Sequence, residues 1–228
     1  MTNILTLSGW TQPADALVHT LDLPMAAWVD YSDYPDREAS FAALARYRQA
    51  DCVVGWSLGG QLALQAIAAG VLAPKRLVLI AAPYQFVSNA QFAGGMDPTT
   101  YRLFRASYAS DPARTKQRFH ALIAKGDREA KQVMGMLGHH WDVENTSRWL
   151  PWLDQLGRDS LIDVPLVQLP PTILIHGEND AIVPLAQSET LQEKLPHAIL
   201  HRWEEAGHAP HLRDTQRLRN LILSESCS

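Results

Sequence analysis

The sequence is poor in cysteine and carries little net charge. The 228 residues include only two cysteines, Cys52 in an apolar run and Cys227 in a polar tail. Two cysteines placed in this way do not form a disulfide framework, so we expect a reducing compartment, the cytoplasm. The formal net charge of -4 at pH 7 does not draw a whole surface to nucleic acid or to an anionic membrane. We therefore expect neither as a partner, and an anionic partner has to bind a local patch.

Long apolar segments are also missing. The first ten residues, MTNILTLSGW, have no basic region followed by an apolar stretch of signal-peptide length, and no later run is long enough to cross a bilayer. Hydrophobic residues nevertheless make up 46% of the chain, which fills the core of a domain of this size. The composition therefore predicts one globular domain without a membrane span.

Six short apolar runs indicate β-strands, and helical patterns separate most of them. The runs cover residues 3–7, 26–30, 51–56, 76–82, 171–177 and 198–203. Apolar runs without alternation indicate strands that are covered on both faces, and helices between strands indicate crossover connections. The sequence therefore predicts the α/β class with a mostly parallel sheet.

The alternation of strands and helices stops between residues 84 and 165. Helical patterns occupy residues 99–107, 113–125 and 128–137, and SRWLPWLDQL precedes the return to strands, with prolines near the boundaries. We interpret residues 84–165 as an inserted helical cap, and residues 1–83 and 166–228 as the core that carries the sheet.

The stretch VVGWSLGGQL contains the pattern G-x-S-x-G, formed by Gly55, Ser57 and Gly59. It follows a strand pattern and precedes a helix pattern, which is the context of a nucleophile elbow. Small residues two positions to either side of the serine avoid clashes in such a tight turn. The pattern predicts that Ser57 is a nucleophile.

A serine nucleophile needs a base and an acid, which in this type of fold follow it as acid and then histidine. Asp180 follows the fifth predicted strand in HGENDAIVP, and His208 follows the sixth in EEAGHAPHL. Both positions are carboxyl ends of strands, where active sites collect. We predict His208 as general base and acid, and Asp180 as the carboxylate that orients its ring.

Other titratable residues near these positions provide alternatives. Glu178 is the rival acid and His211 the rival base, whereas His176 lies inside an apolar run and is interpreted as a core histidine. His139 and His140 have no adjacent carboxylate cluster. We expect no metal site.

Acyl transfer also requires hydrogen-bond donors for an oxyanion. The residue after the nucleophile, Leu58, supplies one backbone N–H. Trp10 follows the first predicted strand through Gly9, so its backbone N–H is the second candidate and its indole a candidate wall of the acyl pocket. The alternative for Trp10 is a packing role.

With these motifs the chain resembles the α/β-hydrolase superfamily and, within it, the pimeloyl-[acyl-carrier protein] methyl ester carboxylesterases of biotin synthesis. GWSLGG at residues 55–60 is similar to their nucleophile elbow, GW at residues 9–10 to their oxyanion loop, and GHAP at residues 207–210 to their histidine loop. The resemblance implies the α/β-hydrolase fold with an inserted cap and a serine carboxylesterase without a cofactor. It also implies acylated acyl-carrier protein as the substrate, and we expect a monomer.

The sequence departs from the superfamily at three places. Ser8 stands where histidine usually precedes the oxyanion glycine, and AAWVDYSDYP at residues 26–35 replaces a glycine-rich loop. The first strand pattern corresponds to the third strand of the superfamily, so we expect a smaller sheet without the usual first hairpin.

The predicted cap is locally cationic and contains several large apolar side chains. Residues 101–131 hold eight Lys or Arg against three Asp or Glu, a charge that would attract an acidic carrier protein. We define the cationic patch as Arg102, Arg105, Arg114, Arg118, Arg128 and Lys131. The candidate pocket residues are Trp10, Trp56, Phe86, Phe104, Met134 and Trp141. A solvated helix face and a cap core remain the alternatives for these two sets.

Three functions are therefore open from the sequence. The first is hydrolysis of the methyl ester of pimeloyl-acyl-carrier protein to the free acid and methanol. The second is hydrolysis of an ester or a carbon–carbon bond in a free small molecule with the same three residues. The third is ligand binding without catalysis on the same fold.

Overall fold

A computed structural model describes residues 3–139, 146–166 and 169–223. Its sheet has the order β2-β1-β3-β4-β5-β6, and every neighbouring pair is parallel. The strands are β1 (Ile4–Leu7), β2 (Ala27–Trp28), β3 (Cys52–Trp56), β4 (Arg76–Ile80), β5 (Thr172–Gly177) and β6 (Ile199–Trp203). Each lies within a strand predicted from the apolar runs.

The inner strands are apolar because helices cover both faces of the sheet. All residues of β1, β3 and β5 are buried. Strand β2 is an edge strand that pairs with β1 alone, and its Trp28 is 47% exposed. It has two residues instead of the five predicted, because Asp30 Oδ1 accepts the backbone N–H of Ser32 and starts a 3₁₀ turn at Tyr31–Asp33.

Ten helices lie in the described part of the chain. They are α1 (Ala16–Thr20), α2 (Arg37–Leu44), α3 (Leu58–Ala68), α4 (Pro98–Ser110), α5 (Pro112–Ala124), α6 (Ala130–His139), α7 (Trp149–Arg158), α8 (Ala186–Lys194), α9 (Pro210–Arg213) and α10 (Thr215–Leu223). Helix α3 is the central one, and residues 58–66 of it are buried. None of the helices in the described ranges is long and apolar enough to cross a membrane.

Helices α4 to α7 all lie between β4 and β5, in the region of the predicted cap. Side-chain caps determine where two of them begin. Asp97 Oδ1 accepts the N–H groups of Thr99 and Thr100, each at 2.9 Å, and Asp111 accepts the N–H of Arg114 at 3.0 Å. Helices α4 to α7 lie within a few residues of the helices predicted for the cap. The division of the chain into core and cap itself remains a prediction.

The parallel sheet places the ends of its strands together. Trp10 follows β1, Ser57 follows β3, Asp180 follows β5 and His208 follows β6. Because all strands run in the same direction, these four residues lie at the carboxyl edge of the sheet, where ligands bind in open α/β folds.

Candidate active site

Ser57 occupies a strained turn between β3 and α3. Its backbone has φ 53° and ψ -120°, a conformation that residues other than glycine rarely adopt. Its N–H extends the pairing with β4 by donating to the oxygen of Ile80 at 2.8 Å. A Cβ on Gly59 would lie 2.2 Å from the oxygen of Leu7, so the elbow requires glycine at this position.

The structure brings Ser57, His208 and Asp180 into one hydrogen-bonded chain. Ser57 Oγ lies 2.9 Å from His208 Nε2, and His208 Nδ1 lies 2.7 Å from Asp180 Oδ2. With Nδ1 protonated, the ring donates to the carboxylate and accepts the serine O–H at Nε2. These are the contacts that activation of a serine hydroxyl requires.

The carboxylate of Asp180 is buried and surrounded by donors. Its Oδ1 accepts the N–H groups of Ile182 at 2.8 Å and Val183 at 2.9 Å. Burial acts to raise the pKa of Asp180, but the contacts with His208 and His176 outweigh it and hold this pKa below its ordinary value. The carboxylate is therefore ionised at neutral pH, and its negative charge can balance the positive charge of a protonated His208.

The loop that carries His208 is fixed from two sides. The backbone oxygen of His208 accepts the indole N–H of Trp56 at 3.0 Å. Its backbone N–H donates to the oxygen of Ile123 at 3.2 Å, and the N–H of Gly207 donates to Asp127 Oδ2 at 3.1 Å. Sequence reasoning missed Asp127, because a partner 80 residues away leaves no local pattern.

The two predicted oxyanion donors are Trp10, in the loop after β1, and Leu58, the first residue of α3. A Cβ on Gly9 would meet the Trp56 ring at 3.1 Å, so the loop before Trp10 lies on the residue before the nucleophile. The backbone N–H groups of Trp10 and Leu58 have no acceptor among the residues that the structure describes.

Trp10 is the centre of a cluster of aromatic rings. Its ring lies 5.6 Å from Phe104, 4.7 Å from Tyr108 and 5.0 Å from Phe119, between centroids. The indole N–H donates to the oxygen of Trp149 at 2.9 Å. The cluster joins the loop after β1 to α4, α5 and α7. Tyr108 was absent from the predicted pocket, although its spacing of four from Phe104 places both on one face of α4.

The other predicted pocket residues lie in different surroundings. Trp56 is 2% exposed and contacts the histidine loop. Phe86 packs edge-on against Tyr101, with centroids 6.4 Å apart, and Met134 on α6 is 37% exposed. Trp141 lies outside the described residues. Two predicted pocket residues therefore contact the oxyanion loop, Phe104 through the ring of Trp10 and Trp56 through Gly9.

The rival residues do not take the places of Asp180 and His208. Glu178 is exposed, whereas His211 is buried with its ring centroid 4.5 Å from that of Trp56. Burial, and then the neighbouring His208, lower the pKa of His211 to about 3, so it is a poor acceptor for the serine proton. Histidine 176 is the core residue that the sequence predicts, but it also contacts Asp180.

No group of three or more His, Cys, Asp or Glu within the described ranges is arranged to hold a metal ion. Of the two histidines considered for such a site, His140 lies outside those ranges. The expectation of a protein without a metal therefore remains a prediction.

The structure divides the cationic patch into paired and solvated residues. Arg105 donates from Nε and Nη2 to the carboxylate of Asp154. Arg128 Nη1 lies 3.0 Å from Glu205 Oε2. Four exposed members form no ion pair in the described part of the chain, although Arg102 Nη2 donates to Thr99 Oγ1 at 2.9 Å. They are Arg102 on α4, Arg114 and Arg118 on α5, and Lys131 on α6.

The fold and the contacts at the sheet edge agree with a comparison of the sequence with known families. The family model described as alpha/beta hydrolase family matches residues 4–221. The chain belongs to the alpha/beta hydrolase family. This assignment confirms the fold class and the family predicted from the nucleophile elbow and the histidine loop.

Several curated relatives of this alpha/beta hydrolase have related names. The pimeloyl-[acyl-carrier protein] methyl ester esterase of Aromatoleum aromaticum is 36% identical over 199 residues, covering 82% of this chain and 79% of that protein. The biotin biosynthesis bifunctional protein BioHC of Teredinibacter turnerae is 33% identical over 221 residues. That match covers 90% of this chain but 38% of the bifunctional protein, so the chain spans well under half of that relative.

Solved structures of other hydrolases have the same fold. An esterase from Exiguobacterium antarcticum superimposes with a TM-score of 0.78 at 16% identity, covering 97% of this chain and 90% of the esterase. The bromoperoxidase from Bacillus anthracis superimposes with a TM-score of 0.76 at 17% identity, covering 98% of this chain and 91% of the bromoperoxidase. At these identities the likeness establishes the fold alone.

Proposed function

We propose that this alpha/beta hydrolase is a serine carboxylesterase that hydrolyses the methyl ester of a pimeloyl chain carried on acyl-carrier protein. The observation that carries the esterase proposal is the chain of contacts from Ser57 Oγ through His208 to Asp180, at 2.9 and 2.7 Å. Such a chain converts an unreactive hydroxyl into a nucleophile.

In the first half of the reaction, Ser57 Oγ bonds to the ester carbonyl carbon while its proton passes to His208 Nε2. The carbonyl oxygen becomes an oxyanion, and the unoccupied N–H groups of Trp10 and Leu58 are the proposed donors to it. The tetrahedral intermediate then breaks its bond to the methoxy oxygen. His208 returns the proton to that oxygen, and methanol leaves an acyl-enzyme.

In the second half, a water molecule attacks the acyl-enzyme while His208 takes one of its protons. The second tetrahedral intermediate breaks its bond to Ser57 Oγ, which recovers a proton from His208. The product is the carboxylic acid of the carrier-linked chain. Asp180 stays ionised throughout and balances the charge on His208 in each transfer.

Two observations support the carrier-linked substrate. Several curated relatives are named for pimeloyl-[acyl-carrier protein] methyl ester or for biotin biosynthesis. In addition, the four members of the cationic patch without an ion pair lie on α4, α5 and α6. Helices α4 and α5 supply Phe104, Tyr108 and Phe119 to the aromatic cluster, and α6 packs against α5. An acidic carrier protein bound there would deliver its acyl chain towards Trp10.

The pairing of Arg105 with Asp154 and of Arg128 with Glu205 favours a second candidate. Because these pairs reduce the free positive charge of the patch, a free small ester is the alternative substrate for the same three residues. We retain the cytoplasm and a monomer as part of the proposal. Size-exclusion chromatography tests the monomer, and cell fractionation tests the compartment.

The first experiment compares two substrates, pimeloyl-carrier methyl ester and a short free methyl ester, at low and high salt. We expect turnover of the carrier substrate that falls as ionic strength rises, and a nearly salt-independent rate with the free ester. Ser57→Ala should abolish both rates while the variant retains the far-UV spectrum and melting temperature of the wild type.

The outcomes separate the candidate functions. Turnover of the free ester alone would remove the carrier substrate and keep the esterase. Unchanged turnover by Ser57→Ala would remove Ser57 from the mechanism. No turnover of either substrate by the wild-type protein would leave a ligand-binding function on this fold.

A further inference from the structure

A second buried histidine contacts the carboxylate of Asp180. His176 lies in β5 with no exposed surface, and its Nε2 is 3.2 Å from Asp180 Oδ2. The same nitrogen is 2.8 Å from the backbone oxygen of Val183, and Nδ1 is 2.6 Å from Ser188 Oγ. The proposed mechanism gives this ring no role, yet it contacts the oxygen that accepts the His208 N–H.

The contacts of the ring determine which nitrogen carries its proton. A backbone oxygen can only accept, so Nε2 of His176 must donate to Val183. The same nitrogen lies 3.2 Å from Asp180 Oδ2, and its contact with the carboxylate helps to lower the pKa of Asp180. In the neutral ring Nδ1 is left as an acceptor, and the hydroxyl of Ser188 on α8 is the donor to it.

From this geometry we propose that His176 is a positioning residue for Asp180. It fixes the carboxylate oxygen that receives the Nδ1–H of His208. The inference rests on the proposed function, because it assigns His176 a part in the same reaction. Five side chains then form a continuous series of contacts, in the order Ser188, His176, Asp180, His208 and Ser57.

Each oxygen of Asp180 has its own function in this arrangement. Oδ1 is held by the backbone N–H groups of Ile182 and Val183. Because both oxygens rotate together about the Cβ–Cγ bond, these contacts also restrict Oδ2, and the contact with His176 adds a restraint at Oδ2 itself. Oδ2 is shared by the two histidines. Loss of the His176 donor would therefore leave the oxygen that faces His208 with one partner instead of two.

Two amide substitutions separate the two ends of the ring. The side-chain amide nitrogen of glutamine reaches about as far from the backbone as Nε2, whereas that of asparagine reaches only as far as Nδ1. His176→Gln therefore retains a donor for Asp180 in a side chain of similar size, and His176→Asn removes that donor while keeping a smaller polar side chain. Ser188→Ala removes the contact at Nδ1 and leaves the contact with Asp180.

We expect His176→Asn to lower kcat on the short free ester about tenfold or more with a smaller change in KM, because misplaced catalytic groups lose rate. A displaced carboxylate stabilises protonated His208 less, so the acidic limb of kcat/KM against pH should move to lower pH. His176→Gln should recover most of the rate and the wild-type position of the limb. Ser188→Ala should lower the melting temperature without moving the limb.

A packing role for His176 predicts a different pattern. His176→Asn and His176→Gln would then lose stability together, and neither would move the limb of the pH profile. That pattern overturns the proposal, as does a wild-type rate and pH profile in a folded His176→Asn. Both results leave the esterase intact if Ser57→Ala has abolished turnover of the same ester.

The wild-type protein offers a measurement that needs no variant. After labelling with ¹⁵N-histidine, the nitrogen shifts of a buried ring report which nitrogen carries the proton. We expect His176 to be protonated at Nε2 and unprotonated at Nδ1 at neutral pH. Protonation at Nδ1 alone would overturn the proposal, whether or not the protein hydrolyses esters and whether or not His176→Asn folds.

Discussion

The indole Nε1 of Trp56 donates to the backbone oxygen of His208 at 3.0 Å. Trp56 precedes Ser57 directly, so this contact joins the nucleophile elbow to the loop of the proposed base across 152 positions of sequence. Both groups are buried. A buried oxygen that loses its donor costs about 1–3 kcal/mol, so the contact restricts where His208 lies relative to Ser57.

Trp56→Phe removes this donor and keeps an aromatic ring. We expect kcat on a short ester to fall about tenfold with less change in KM, since the distance between His208 and Ser57 is no longer fixed. The matched control is Trp28→Phe on the exposed edge strand, which should retain the wild-type rate. Equal rates for both variants would show that the Trp56 contact does not position His208.

The unpaired cations on α5 provide a test of carrier recognition. We expect Arg114→Glu with Arg118→Glu to lower kcat/KM for the carrier substrate about tenfold or more at low salt. The rate with a short free ester should stay unchanged, and the difference should shrink as salt is added.

A control for this double reversal is Arg46→Glu with Arg48→Glu. Both arginines are exposed and precede β3, at the edge of the sheet opposite Ser57. The control carries the same change in net charge and should retain most of the carrier rate. A similar loss in both double variants would indicate an effect of net charge and contradict a localised docking patch.

The glycines differ in what an added methyl group would meet. A Cβ on Gly59 would lie 2.2 Å from the backbone oxygen of Leu7, whereas one on Gly135 in α6 has nothing within 4 Å. We expect Gly59→Ala to lower the free energy of unfolding by about 2–3 kcal/mol. Gly135→Ala should raise it by about 0.5–1 kcal/mol. Urea denaturation measures both, and equal effects would contradict the tight elbow.

Buried histidines should make the protein sensitive to acid. Burial lowers the pKa of His211 to about 3, with a further contribution from His208, so the unfolded chain binds a proton there between about pH 6.5 and pH 3 that the folded chain does not. This group should therefore lower the free energy of unfolding by about 1.4 kcal/mol for each pH unit as the pH falls below about 6.5, the pKa of histidine in the unfolded chain.

His211→Gln removes this titration. Urea denaturation at pH 6.5 and pH 4.5 should show a smaller loss of stability on acidification in the variant than in the wild type. Asp180 does not interfere, since its lowered pKa contributes a loss of stability only as the pH falls below the ordinary range of aspartate, about 4. The same loss in both proteins would contradict a neutral, buried His211.

Local patterns in the sequence were enough for much of the molecule. The six apolar runs each contain one strand of the sheet, and the spacing of Gly55, Ser57 and Gly59 identifies a turn whose strain follows from local sterics. Asp180 and His208 could be selected because parallel strands end at one edge of a sheet. Their position in the order of strands therefore restricted their position in space.

Contacts between distant segments could not be predicted in this way. The pairing of Arg105 with Asp154 reduces the cationic patch, and Asp127 holds the loop of His208. Arg105 and Asp154 are far apart in the sequence, as are Asp127 and Gly207, so no periodicity or spacing indicates these contacts. Histidine 176 shows the same limit, because its apolar neighbours predict a core position but not the carboxylate that it contacts.

The sequence by itself determined the family, the parallel sheet and the order of serine, acid and histidine, because these depend on local sterics, hydrophobic patterning and chain order. Only the tertiary structure decided which donors surround Asp180, which contacts hold the loop of His208 and which arginines of the cationic patch form ion pairs. Those features depend on distances of about 3 Å between side chains from separate elements, and such distances are fixed only when the whole core packs.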